Sequence, residues 1–434
     1  MARSARPSVN PALDAAGLLR RFGFAILVVA APLLAVGSRR GLVVAAPIGI
    51  ALMVLASAIE SEGRQPLDRA VRSLLTPTAG VAVFLAFWAA LSLLWTPFPS
   101  EATERLLNLS ASALVGLVAV SSLPDRMRVT NLYLMPIGAG LAALAALAIA
   151  WRAASGRSPD PELDRALLER GLLVTVVLAP AAVTWLLSKD RLASGFALVA
   201  AVTAALILGD NLPALVALVL GALVYACATV NPRLGRRVAL ALLPGLVLAA
   251  PLVPFALRPL VKLVFGVSSA RADAIRVWCR IVTDQPLRLL TGHGLDTALR
   301  ARLAGLLPAG SPSGLLFEIW FELGFLGAAA LALLLARAVV GSKRLSPGAS
   351  PGALMMLTVA FTLAALGQGA AQAWWLSTLV LGAVTIIAVD RGQYRTSRPK
   401  PGRAPETAEA DAKPAPATPA GPGANRAQRP VLRP

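Results

Sequence analysis

The stretch GLLFEIWFELGFLGAAALALLLARAVV, residues 314–340, decides the fold class. It is long enough to cross a bilayer as a helix, since about 20 apolar residues rising 1.5 Å each span the hydrocarbon core. Working outward from it, similar runs rich in Ala, Leu, Val and Gly recur near residues 22–37, 41–58, 74–95, 106–123, 129–151, 171–187, 192–209, 212–230, 238–257, 352–368 and 372–389. With the first stretch they make about twelve predicted spans. None alternates with the period of two that a barrel strand requires. Composition agrees: 57% of the 434 residues are hydrophobic and 15% charged, whereas an ordinary soluble domain carries about 25% charge. The mean hydropathy is +0.71. The sequence therefore predicts an all-α fold, a polytopic integral membrane helical bundle. Its first span, broken by Pro32 and preceded by Arg20 and Arg21, reads as an anchor, because no convincing signal-cleavage site follows it.

One long polar interruption divides the series. Residues 258–313 carry Lys262, Arg271, Arg276, Arg280, Arg288, Arg300 and Arg302 against Asp273, Asp284 and Asp296. The predicted organisation is an N-terminal segment (1–21), spans one to nine (22–257), this large loop (258–313), spans ten to twelve (314–389) and a basic tail (390–434). Cytoplasmic connections concentrate Lys and Arg. Arg64, Arg69 and Arg72, then Arg126 and Arg128, then Lys189 and Arg191, then Arg233, Arg236 and Arg237, then Lys343 and Arg344 fall on one side. Both termini are then cytoplasmic and the 258–313 loop is periplasmic. Long loops translocate despite their charge.

The formal charge of +19 mostly orients spans and decorates a Pro-, Ala- and Arg-rich tail too poor in large apolar residues to build a core. Such a tail suits anionic lipid heads. No aromatic interleaving or zinc spacing points to nucleic acid. Cys227 and Cys279 form no disulfide framework, and His293 is the single histidine, so a His-built metal centre is disfavoured. Phosphate-loop, kinase and Ser-His-Asp motifs are absent. What remains is chemistry or transport at a membrane face.

Residues 271–280 predict an amphipathic helix through Arg276, Trp278 and Arg280 that breaks at Gln285-Pro286. Gly292-His293-Gly294-Leu295-Asp296 then makes a tight turn whose glycines admit close approach. Arginines at a membrane surface suit a diphosphate, because the guanidinium is a planar fork that stays charged when partly desolvated. They also suit plain interfacial anchoring. Glu318 and Glu322, one turn apart, share a helix face. A carboxylate as deep as Glu322 is costly unless paired, and a loop arginine is its expected partner.

Trp278, Gln285-Pro286, the Gly292–Asp296 turn and Trp320-Phe321-Glu322-Leu323-Gly324-Phe325-Leu326-Gly327, in that order, resemble the O-antigen ligase and polymerase superfamily. Leu94-Trp95-Thr96-Pro97-Phe98-Pro99 with Glu104-Arg105, and Gln372-Ala373-Trp374-Trp375, agree with it, so the likeness runs from about residue 80 to 390. The resemblance implies a bacterial inner-membrane enzyme that moves a glycan from undecaprenyl diphosphate to the lipid A core, or in polymerases to another carrier-linked repeat. It implies no metal or other cofactor. Arg271 and Arg276 become leading catalytic or diphosphate-binding groups, with His293 or Glu318 assisting. Arg105, Arg280, Arg300 and Arg302 support a basic vestibule, and Glu322 orients. The family histidine falls nine residues before the helix glutamate, which here is Ser313, and the family arginine four residues before Trp278 becomes Ala274. A serine hydroxyl hydrogen-bonds a sugar but is no base near neutral pH. Alternatives are a polymerase relying on arginines, a weakened homologue that binds lipid-linked glycan, and a secondary transporter or flippase, although no internal repeat of the transporter kind is visible.

Overall fold

The structure is a computed structural model that describes residues 11–38, 40–60, 65–265, 269–308, 310–368 and 372–392, without the side chains at 65–67, 260, 262, 264–265 and 270–271. Every regular element among the described residues is a helix. Ten helices are long and apolar enough to cross a membrane, which gives the chain the character of a polytopic membrane protein. The other two of the twelve expected spans are shorter. Leu192–Leu208 and Ser350–Ala365 are apolar helices of 17 and 16 residues, each about 25 Å long against a core of about 30 Å.

Pro161–Ser188 runs through the centre and is buried along most of its length. Asp160 caps it by accepting from the Leu163 N–H at 3.0 Å, and Pro161 follows at the first helical position, where no N–H is needed. Helices Leu134–Ala154, Leu192–Leu208, Ser350–Ala365 and Ala373–Arg391 surround it. Lipid tails are as apolar as leucine, so helix association rests on close packing more than on water exclusion. Gly138 illustrates this, since a Cβ there would sit 1.8 Å from the Val28 carbonyl oxygen.

A second core joins Pro232–Ala249, Leu315–Gly341 and Ser350–Ala365. The loop helix Ala270–Asp284 begins at a Ser269 cap and stops before Gln285-Pro286, where the sequence predicts its end. It lays Trp278 edge-on against Phe317, with ring centres 5.7 Å apart. Trp320 Nε1 donates to the Val247 carbonyl at 2.7 Å.

Pro77–Leu91 and Pro99–Ser121 are peripheral and belong to the least buried of the ten candidate spans. The second of them starts well before the predicted boundary at residue 106. The expected loop around Arg105 is therefore helix, and Glu101, Glu104, Arg105 and Asn108 share one face.

Candidate functional site

The helix Leu315–Gly341 is not continuous: Gly324, at φ 62° and ψ −159°, breaks it. A break frees carbonyls that the next turn would have engaged, and each needs a donor. The Phe321 carbonyl accepts from His293 N–H at 2.8 Å, and the Glu322 carbonyl from Gly294 N–H at 2.9 Å. Trp88 Nε1 donates to the Leu323 carbonyl at 2.8 Å. The loop thus enters the helix break as a main-chain partner. Glycine is required on both sides: a Cβ at Gly324 would lie 2.5 Å from Leu290 O, and one at Gly292 would lie 2.1 Å from Glu322 O. Both residues have positive φ. Leu295 is pinned by Ser92 Oγ, which accepts from its N–H at 3.1 Å, and by Thr96 Oγ1, which donates to its carbonyl at 3.0 Å.

Docking the loop brings four charged groups into one buried cluster. Arg105 Nη1 donates to Asp296 Oδ1 at 2.9 Å and to Glu322 Oε1 at 3.0 Å. Its Nη2 lies 3.5 Å from Glu318 Oε2. Asp296, Glu318 and Glu322 are all buried. Asp296 has a left-handed backbone, with φ 62°, and its second oxygen accepts from Arg300 Nε at 3.0 Å. Glu322 Oε1 also accepts from Ala298 N–H at 3.2 Å, a donor left open at the start of the short helix Thr297–Leu303. Arg302 Nη2 stands 3.7 Å from Glu318 Oε1. The Nε of Arg105 is buried with no partner.

Two spaces meet at this cluster. A polar chamber of about 620 Å³ is lined by Glu101, Glu104, Arg105, Asn108, Asp296, Arg300, Arg302, Ser313, Glu318 and Gln372. An apolar groove of about 470 Å³, with Leu85, Ala89, Leu106, Leu109, Leu315, Ile319, Leu323, Leu376 and Leu379 among its walls, runs alongside. Arg105 and Glu318 line both.

The residues singled out from the sequence separate in the fold. Arg105, Arg300, Arg302, Ser313 and Glu318 face the chamber, and Glu322 lines the groove. Arg276 and Arg280 instead line a separate depression of about 350 Å³ with Asp273, Pro308 and Gly310. Arg276 pairs with Asp273 one turn away. The side chain of Arg271 lies outside the described residues. The expected basic vestibule is also corrected, because three arginines share the chamber with Glu101, Glu104, Asp296 and Glu318.

His293 faces away from the chamber. Its ring stacks on Phe321 at 4.1 Å, and Nδ1 lies 3.0 Å from the Phe321 carbonyl. Burial pushes the imidazole below its ordinary value; the Phe321 carbonyl opposes this and the Arg288 charge adds to it. A neutral ring that donates through Nδ1 presents Nε2 as an acceptor. Nε2 lies 2.6 Å from the Gln285 side-chain amide at Oε1. The amide ends being interchangeable, a neutral ring calls for the NH₂ end there. This is a fastening between loop and helix rather than a base at the chamber.

The sequence gives no site role to Asp296, Glu101, Glu104, Asn108 or Gln372. Asp296 figures there only as a loop acid and turn residue, and Glu104 and Gln372 only within motifs of the resemblance. The spacing 101, 104, 105, 108 is a helical signal, masked in the sequence because the apolar run begins only at about residue 106. The chain matches no protein-family model, no curated protein and no solved structure. Chemically, the cluster fixes Arg105, while the Nη groups of Arg300 and Arg302 make no hydrogen bond among the described residues and remain as donors for an anion.

Proposed function

We propose that the protein transfers a glycan from undecaprenyl diphosphate to the lipid A core or a related acceptor at the periplasmic face of a bacterial inner membrane, in the manner of O-antigen ligases and polymerases. The observation that carries this reading is the junction of a polar chamber and an apolar groove at Arg105 and Glu318. A lipid-linked glycan diphosphate has the matching division: a prenyl chain for the groove, a charged link at the junction and a sugar for the chamber. The guanidinium forks of Arg300 and Arg302, whose Nη groups make no hydrogen bond among the described residues though Arg302 is ion-paired with Glu318, suit the diphosphate, and they act where negative charge grows on the leaving group.

In the proposed step an acceptor hydroxyl oxygen forms a bond to the anomeric carbon. The bond from that carbon to the diphosphate oxygen breaks, and undecaprenyl diphosphate departs with the electron pair. The hydroxyl proton goes to a carboxylate, for which Glu318 is the candidate, since Ser313 stands where the family carries its histidine. This reading keeps both termini cytoplasmic and twelve crossings, with the two short helices spanning by local thinning of the bilayer.

The test is deletion of the gene, followed by analysis of the lipopolysaccharide ladder and the carrier-linked polymer pool. Complementation uses wild type, Arg300→Ala with Arg302→Ala, and Glu318→Gln. Loss of polymer from lipid A with accumulation on the carrier, rescued by wild type alone, is the expected result. Short chains on both carrier and lipid A would indicate a polymerase. An unchanged ladder and carrier pool would remove the reading.

A further inference from the structure

We propose that the wall formed by Glu101, Glu104 and Asn108 selects the glycan by charge, accepting a neutral or amino sugar beside the diphosphate and rejecting a uronic acid there. This rests on the transferase reading above and adds the substrate class. The chamber has two unlike walls. One is the exposed turn-by-turn face of Pro99–Ser121, carrying Glu101, Glu104 and Asn108; the other is the short helix Thr297–Leu303, carrying Arg300 and Arg302. Neither Glu101 nor Glu104 makes an ion pair among the described residues; Ser100 Oγ donates to the Glu101 carboxylate, which its own backbone N–H and the Arg300 charge also favour. Arg300 feels both carboxylates, but its Nε is committed to Asp296. Between them on the same face, Arg105 is committed to Asp296, Glu318 and Glu322, which leaves Glu101, Glu104 and Asn108 as the groups of this wall open to a ligand.

A diphosphate on the arginine wall turns its attached sugar toward the carboxylate wall. Carboxylates accept paired hydrogen bonds from sugar hydroxyls or from an ammonium, and the Asn108 amide both donates and accepts. An anionic sugar would meet two like charges at close range, a penalty on the order of tenfold in affinity even with water-like screening.

The experiment measures equilibrium binding to the full-length protein in lipid nanodiscs. Its probes are undecaprenyl diphosphate alone, the same carrier with N-acetylglucosamine, and the same carrier with the corresponding uronic acid. Wild type is expected to prefer the neutral sugar by about tenfold or more. Glu101→Gln with Glu104→Gln should shrink that ratio to near unity, and Glu104→Lys should reverse it. Equal binding of the two glycolipids by wild type, or a preference that survives the double substitution, would overturn the charge selection alone. Failure of all three carriers to bind would overturn both this inference and the transferase reading.

Discussion

Arg105 divides one guanidinium among three buried carboxylates. Removing the cation therefore leaves like charges facing one another, which costs more than losing any one acid. Arg105→Met is expected to destabilise the protein by about 3–5 kcal/mol. Asp296→Asn should cost about 1–3 kcal/mol. Thermal denaturation in detergent should show the larger loss for the arginine variant, with partial recovery when Glu322→Gln is added to it. His293 supplies a different residue-scale outcome. Its folded imidazole sits below its ordinary value near 6.5 because it is buried, so on acidification the unfolded chain binds the proton first. Its contribution is whole above about pH 6.5 and declines as pH falls toward the folded-state value. Exchange of the amides from 290 to 296, corrected for intrinsic rates, should be flat above about pH 6.5 and accelerate as the pH falls below it. His293→Gln should lose that dependence, and since it is the chain's single histidine, an unchanged profile would refute the assignment.

At the scale of elements, the broken helix sets the site. Gly324→Ala places a Cβ against the Leu290 carbonyl in a left-handed conformation, at a cost of about 1–3 kcal/mol. The expected outcome is release of the 292–296 turn, seen as faster exchange there with the flanking helices unaffected, together with loss of any ligand binding in the chamber. Gly292 and Gly294, unlike Gly324, were legible in the sequence as points of close approach. Their partner was not, because apolar composition across residues 314–340 reports burial in lipid or protein without reporting a break. Period and length predicted the helices; which carbonyls leave the ladder depends on a distant segment. The same limit separated Arg276 from Arg300: both lie in one basic loop, but only the fold puts them in different depressions.

Across the whole molecule, the apolar runs foretold the helices well and the crossings less fully, since two helices fall short of spanning length. A direct check of the proposed orientation uses an impermeant maleimide on intact inner-membrane vesicles of known sidedness, in a background lacking Cys227 and Cys279. A cysteine at the exposed Leu303 position should label only from the periplasmic side, and one near the C-terminus only from the cytoplasmic side. The reverse pattern would invert the molecule and take the chamber away from a periplasmic acceptor. Such a placement also bears on the order of assembly. In lipid, the carbonyls exposed at Gly324 have no water to turn to, so the half-helices around it cannot settle until the 292–294 backbone arrives. That loop precedes the helix in the chain and is already made when the ribosome releases residues 315–341. Biogenesis can therefore present the clasp before the hinge it closes upon.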